Sequence, residues 1–130
     1  MKKHKGQVIV EFALILPLLL LVLFGIIYSG LLFHDYITLT NIARASAREA
    51  AITATTDYSN IETHYVTQLD SLMTSFYVKN NTKPIEIIQD ATGSVRTTIN
   101  MQLNVSGYFV EMVLPSSFGV QYYMKKEPTS

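Results

Sequence analysis

Residues Lys5 to Phe33 read KGQVIVEFALILPLLLLVLFGIIYSGLLF, and the fold is decided there. From Phe12 to Phe33 the chain runs for about 22 residues without a charge, long enough for one helix to cross the roughly 30 Å hydrocarbon layer of a bilayer. Lys2, Lys3 and Lys5 precede this run, and the first charge after it is Asp35. The positive-inside rule then holds the N-terminus in the cytoplasm and exports the rest. A secretory signal has a shorter apolar core followed closely by a small-residue cleavage site, whereas here the nearest A-x-A, Ala43-Arg44-Ala45, lies about ten residues beyond Phe33. Ordinary signal-peptidase cleavage is therefore not expected.

Working outward, Pro17, Gly25 and Gly30 punctuate the span, where bending or close helix contact is expected. Inside a membrane, neighbouring groups compensate for the hydrogen bond that Pro17 removes. Past Phe33, apolar residues recur at Tyr36, Ile37, Leu39, Ile42, Ala43, Ala47, Ala50 and Ala51, close to a 3.6-residue period. The pattern predicts one helix from about Val8 to about Ala54, roughly 70 Å long, whose outer half is amphipathic and rich in small residues. A second helix is expected from Ser59, with Ser59 and Glu62 as a capping box and a stripe running from Ile61 to Phe76, ended by Asn80, Asn81, Lys83 and Pro84.

The remainder predicts strands. Pro84 to Gln89 is a short β-branched run and Asp90 to Ser94 a turn. Val95 to Val105 alternates cleanly, with Val95, Thr97, Ile99, Met101, Leu103 and Val105 on one face, as a half-buried antiparallel strand requires. Gly107 to Leu114 reads as a packed loop or a short helix, and Val120 to Lys126 as a last strand. The expected class is α+β: a long N-terminal helix, membrane-spanning in its first half, with a second helix and a small antiparallel sheet of about three strands.

Composition narrows the function classes. The 130 residues carry 10 basic and 10 acidic side chains, so nothing in the overall charge invites nucleic acid. With 0 cysteines, disulfides and thiolate zinc sites are excluded. His4, His34 and His64 are too dispersed for a metal site, and no GxSxG, HExxH or phosphate-binding glycine loop occurs. No catalytic residue, metal or cofactor is expected. Tyr108, Tyr122 and Tyr123 read as packing residues, and Arg44 and Arg48 as a solvated helix face.

Two features lift the N-terminus above a plain anchor: the Lys5-Gly6-Gln7 junction and the lone acid Glu11 at the head of the apolar run, followed by Phe12. A basic leader ending in Gly, then Glu-Phe at the fifth and sixth positions after it, then a long apolar helix, resembles the class III signal of type IV pilins and pseudopilins. The fuller string GQVIVEFALILPLLLLVLFGIIYSG with NIARASAREAA looks like the TadE-like pseudopilins of tight-adherence pilus systems. The closing MKKE is also similar to their C-terminal strand. Gln7 departs from classical pilins, many of which carry an aromatic residue or Met there, and fits the Tad branch instead.

The resemblance implies cleavage between Gly6 and Gln7 by a prepilin peptidase, Gly6 allowing close backbone approach. It implies that Glu11 pairs with the new N-terminal amine of its own or a neighbouring subunit, since an unpaired charge in a packed apolar bundle costs several kcal/mol. An N-terminal Gln also cyclises with loss of that amine, so the state of Gln7 decides whether pairing is available. Phe12, Pro17, Gly25 and Gly30 belong to the hydrophobic assembly helix. The implied domains are a leader over residues 1–6, a membrane-spanning helix half over 7–33, its amphipathic continuation over 34–56 and an extracytoplasmic α+β domain over 57–130.

The function so implied is that of a minor pilin-like subunit in the assembly, priming or tip of a Tad-type pilus, at the cytoplasmic membrane with the C-terminal domain outside. The implied partners are the peptidase, TadF-like pseudopilins, the Flp-type major pilin, and the inner-membrane platform with its ATPase. The alternative is a single-pass signal-anchored protein whose outer domain binds a ligand or acts as a sensor.

Overall fold

The computed structural model describes residues 3–74, 76–79, 83–104, 107 and 114–126, with the side chains of residues 3–5 left aside. Helix α1 spans Lys3–Ile52 and includes Pro17 without ending there. A 3-10 turn at Thr55–Asp57 leads into α2 (Tyr58–Leu72), and four strands follow: β1 (Tyr77–Lys79), β2 (Ile85–Gln89), β3 (Ser94–Leu103) and β4 (Ser117–Lys125). The chain divides into two compact units, Met1–His34 and Asp35–Ser130.

The described residues of the first unit are all helical. Every described apolar side chain from Val8 to Ile27 is exposed. The helix is long and apolar enough to cross a membrane, and none of its apolar window is buried.

In the second unit, the C-terminal part of α1 buries Asp35, Leu39, Ile42, Ala43, Ser46, Ala47, Ala50 and Ala51. Those positions recur at three- and four-residue steps and form one stripe of a 3.6-residue helix. Helix α2 turns Tyr58, Ile61, Tyr65 and Leu69 inward by the same rule.

Strand β3 is the centre of the sheet, and all its pairings are antiparallel. Strand β4 runs along it from Ser94↔Lys125 to Gln102↔Ser117. Strand β2 takes Val95 to Ile99 and β1 takes Met101 to Leu103, so β2 and β1 share the opposite edge in tandem. Four strands therefore make a sheet three strands wide. Val95, Thr97, Ile99 and Met101 face inward and are buried, while Asn100 and Gln102 on the other face are exposed, as a sheet with one covered face requires. Gly93, at φ +75, closes the β2–β3 hairpin: its N–H donates to the Asp90 carbonyl at 2.9 Å and the Asp90 N–H donates to the Ser94 carbonyl at 2.7 Å. Glycine adopts that left-handed conformation without a Cβ penalty.

The fold class is as the sequence indicates, with local differences. Helix α2 ends at Leu72, so Phe76 lies past the helix and Tyr77 to Lys79 form a strand instead of a continuing stripe. The capping box is absent: Asp57 is the N-cap and makes no side-chain cap bond, while the Glu62 carboxylate accepts the Ile87 N–H at 2.9 Å. Strand β4 begins at Ser117, three residues earlier than the alternation suggests. Residues 108–113, within the stretch read as a loop or short helix, and Val105 lie outside the described residues.

Candidate functional site

Gly6, Gln7 and Glu11 lie in the first turns of α1, and all three are exposed. A Cβ built at Gly6 meets nothing within 4 Å outside its own helix backbone, so this backbone is open to close approach. Gln7 and Glu11 are four residues apart and share one helix face. Glu11 is the one acid between Lys5 and Asp35, and Phe12 beside it is 64% exposed.

Further along the span, Gly25 and Gly30 are equally open, with nothing within 4 Å of a built Cβ. Ser29 donates its hydroxyl to the Gly25 carbonyl at 2.8 Å, so its polar group is satisfied within the helix, as an apolar surround demands. Ile15, Leu18, Leu19, Val22, Leu23 and Ile26 line a shallow, wholly apolar groove. Such a surface suits packing against another helix or lipid chains and offers no group for chemistry.

Within the second unit, polar contacts that local sequence reading missed tie the end of α1 to α2, the sheet and the segment between them. Asp35 is fully buried and accepts the Thr74 N–H at 3.0 Å and the Thr74 hydroxyl. The signal was present: a charge placed four residues before Leu39 falls on the buried stripe, where it needs donors. Tyr65 on α2 donates its hydroxyl to Glu49 on α1 at 2.9 Å; burial, the hydrogen bond and the Glu49 charge push its pKa up to about 12. Tyr77 is also held above the usual phenol range, by burial first and by the negative charge of Asp35 second. The Arg44 guanidinium lies 5.5 Å from the centre of the Tyr122 ring, a cation–π contact across α1 and β4.

A cavity of about 530 Å³ in the second unit is lined by Leu69, Met73, Tyr77 and Met101 among others, with Asp70 and Lys79 beside them. Lys79 and Asp70 pair at 2.6 Å and Thr74 is held by Asp35, so these polar groups are engaged with one another. Among the described residues no three His, Cys, Asp or Glu side chains converge to hold a metal ion. The sequence-predicted residues Gly6, Gln7, Glu11, Phe12, Pro17, Gly25 and Gly30 all lie on one helix in the first unit, and none of them lies in the second.

Residues 6–48 match the family model described as TadE-like protein. The matched segment is α1 almost entirely and stops before α2 and the sheet. No curated protein and no solved structure matches the chain.

Proposed function

We propose, for a chain that is TadE-like over residues 6–48, that it is a minor pilin-like subunit, matured by a prepilin peptidase, that serves the assembly, priming or tip of a Tad-type pilus. Its general pilin-like, membrane-associated character is supported by the family segment and by the apolar helix α1. The finer reading rests on the Gly6-Gln7 junction and Glu11 standing together at the head of that helix.

In this reading residues 1–6 are a leader held in the cytoplasm by Lys2, Lys3 and Lys5. Residues 7–33 span the inner membrane, 34–56 continue the helix outside and 57–130 form the exported domain. The peptidase cuts after Gly6, where the backbone is open, and the mature helix then packs against its neighbours through its apolar surface. Glu11, brought into that packed surface, pairs with a Gln7 amine and fixes the register of one helix on the next, because an unpaired charge there costs several kcal/mol. TadF-like pseudopilins, the Flp-type major pilin and the assembly platform with its ATPase are the partners this role requires. The work done is helix association.

The test is the Gly6→Leu variant co-expressed with a cognate prepilin peptidase. The variant keeps its full length while the parent chain loses residues 1–6. Equal processing of both overturns the assignment of the junction.

A further inference from the structure

We propose that the free edge of β4 is a self-pairing surface, which joins the β4 of one chain to the β4 of a second copy, antiparallel and centred on Gln121. Cleavage after Gly6 plays no part in this, since β4 lies wholly in the second unit.

Strand β4 borders the sheet: β3 pairs with it on one side, and nothing among the described residues pairs with it on the other. The hydrogen-bond phase fixes which groups are left over. Just outside the two ends of the strand, the Leu103 N–H donates to the Ser116 carbonyl at 2.9 Å and the Lys126 N–H to the Gly93 carbonyl at 3.0 Å. Bonded and non-bonded pairs alternate along an antiparallel ladder, so the even-numbered residues of β4 bond β3. The N–H and C=O groups of Ser117, Gly119, Gln121, Tyr123 and Lys125 therefore point away from the sheet, and none of them has a hydrogen-bond partner among the described residues. On β2 the outward Ile87 N–H is instead taken by the Glu62 carboxylate at 2.9 Å. Apart from Lys125 at its end, β4 has none of the devices that blunt an edge. It is 9 residues long, contains no proline and keeps one unbroken register along β3.

The order of residues in β4 selects the occupant. A second β4 laid antiparallel, with Gln121 opposite Gln121, pairs the strand along its whole length and aligns every outward N–H with an outward C=O. The same alignment sets Phe118 against Met124 and Val120 against Tyr122 on the half-buried face, apolar against apolar. On the other face Gly119 meets Tyr123, which is 54% exposed, and an aromatic ring across from an edge glycine covers backbone that the glycine leaves bare. At the centre two carboxamides meet, each both donor and acceptor. Lys125 lies across from Ser117, which holds the two lysines about 27 Å apart at the strand rise, beyond the range of screened repulsion. An unrelated strand needs no such palindrome, whereas a two-fold, isologous contact requires one.

The test uses the full chain in detergent micelles. Sedimentation equilibrium is expected to give the mass of a dimer for the parent and of a monomer for Gln121→Pro, because proline removes an N–H that points away from β3 and is tolerated on an edge strand. A single cysteine reads the register whether or not the proline variant folds, since the chain has 0 cysteines of its own. Across a hydrogen-bonded pair the Cα atoms lie about 5.5 Å apart, within disulfide reach, whereas the two copies of Ser117 lie about 27 Å apart. Under mild oxidation Gln121→Cys is expected to form a cross-linked dimer about tenfold faster than Ser117→Cys, because pairing raises the effective concentration of one thiol at the other. Gln121→Cys cross-linking no faster than Ser117→Cys overturns the proposal, as does a dimer that survives in Gln121→Pro with the parent's far-UV circular dichroism. A monomeric parent chain overturns it too and leaves the edge to an extended strand of another protein.

Discussion

The carboxylate of Asp35 accepts both the backbone N–H of Thr74, at 3.0 Å, and its hydroxyl, joining the start of the second-unit part of α1 to the second residue past α2. Asp35 is fully buried, and the bond spans 39 positions of sequence. Removing the acceptor leaves two donors facing a part-buried site. Asp35→Ala is therefore expected to cost about 1–3 kcal/mol, and Asp35→Asn less, because its amide oxygen still accepts. Urea unfolding of the full chain in detergent, followed by tyrosine near-UV circular dichroism, measures both.

Glu62 gives a sharper contrast. Its carboxylate accepts the Ile87 N–H at 2.9 Å, on the edge of β2 that β3 does not use, so α2 closes part of a strand edge that would otherwise be open. Glu62→Ala is expected to lose about 1–2 kcal/mol. Ser59→Ala, which a capping box would make equally costly, is expected to be close to neutral, since Ser59 makes no cap bond in α2. Equal losses at the two positions would restore the capping box.

These two contacts explain what the sequence did not disclose. The stripe of α1 from Leu39 to Ala51 and the alternation of β3 from Val95 to Met101 were legible because each element satisfies its own period. The end of α2 was not. Leu69, Met73 and Phe76 continue a helical spacing, but the Met73 N–H closes on the Leu69 carbonyl at 3.0 Å and Asp35 holds Thr74 from another part of the chain. Helix termination there is a long-range event, and β1 is what the released residues form. Glu62 had two acceptable partners in sequence terms, and the tertiary one prevailed. The candidate site rests on the sequence: Gly6, Gln7 and Glu11 stand out as a glycine and a lone acid at the head of an apolar run, and the fold adds their helical, exposed placement.

Gly119 sits opposite Asn100 in the β3–β4 ladder, and a Cβ there would lie 2.6 Å from the Asn100 Oδ1 and 2.7 Å from the Ile99 carbonyl oxygen. The side chain can swing away, but the carbonyl is part of the sheet. Gly119→Ala is expected to cost about 1–3 kcal/mol through overpacking, and adding Asn100→Ala recovers only part of it. Full recovery in the double variant, measured by the urea midpoint, would place the whole clash on the Asn100 side chain.

Alkaline pH probes the α1–α2 contact. The Tyr65 pKa is raised from 10.0 to about 12 in the folded chain. The stability this contributes is complete below the unfolded value and is lost as pH rises from about 10 through about 12. Tyr58 and Tyr77 are raised in the same direction, so Tyr65→Phe flattens the alkaline loss of stability without abolishing it. Unfolding midpoints across that range, read with tyrosinate absorbance, give the comparison; an unchanged slope in Tyr65→Phe would remove the Glu49 contact from the account.

The most direct test of the central claim is the intact mass of the chain expressed with and without a cognate prepilin peptidase whose activity on a second substrate has been verified. The account predicts loss of residues 1–6, leaving a chain that begins at Gln7, and only when the peptidase is present. A full-length chain under both conditions would contradict it and would make α1 an ordinary membrane anchor for the outer unit.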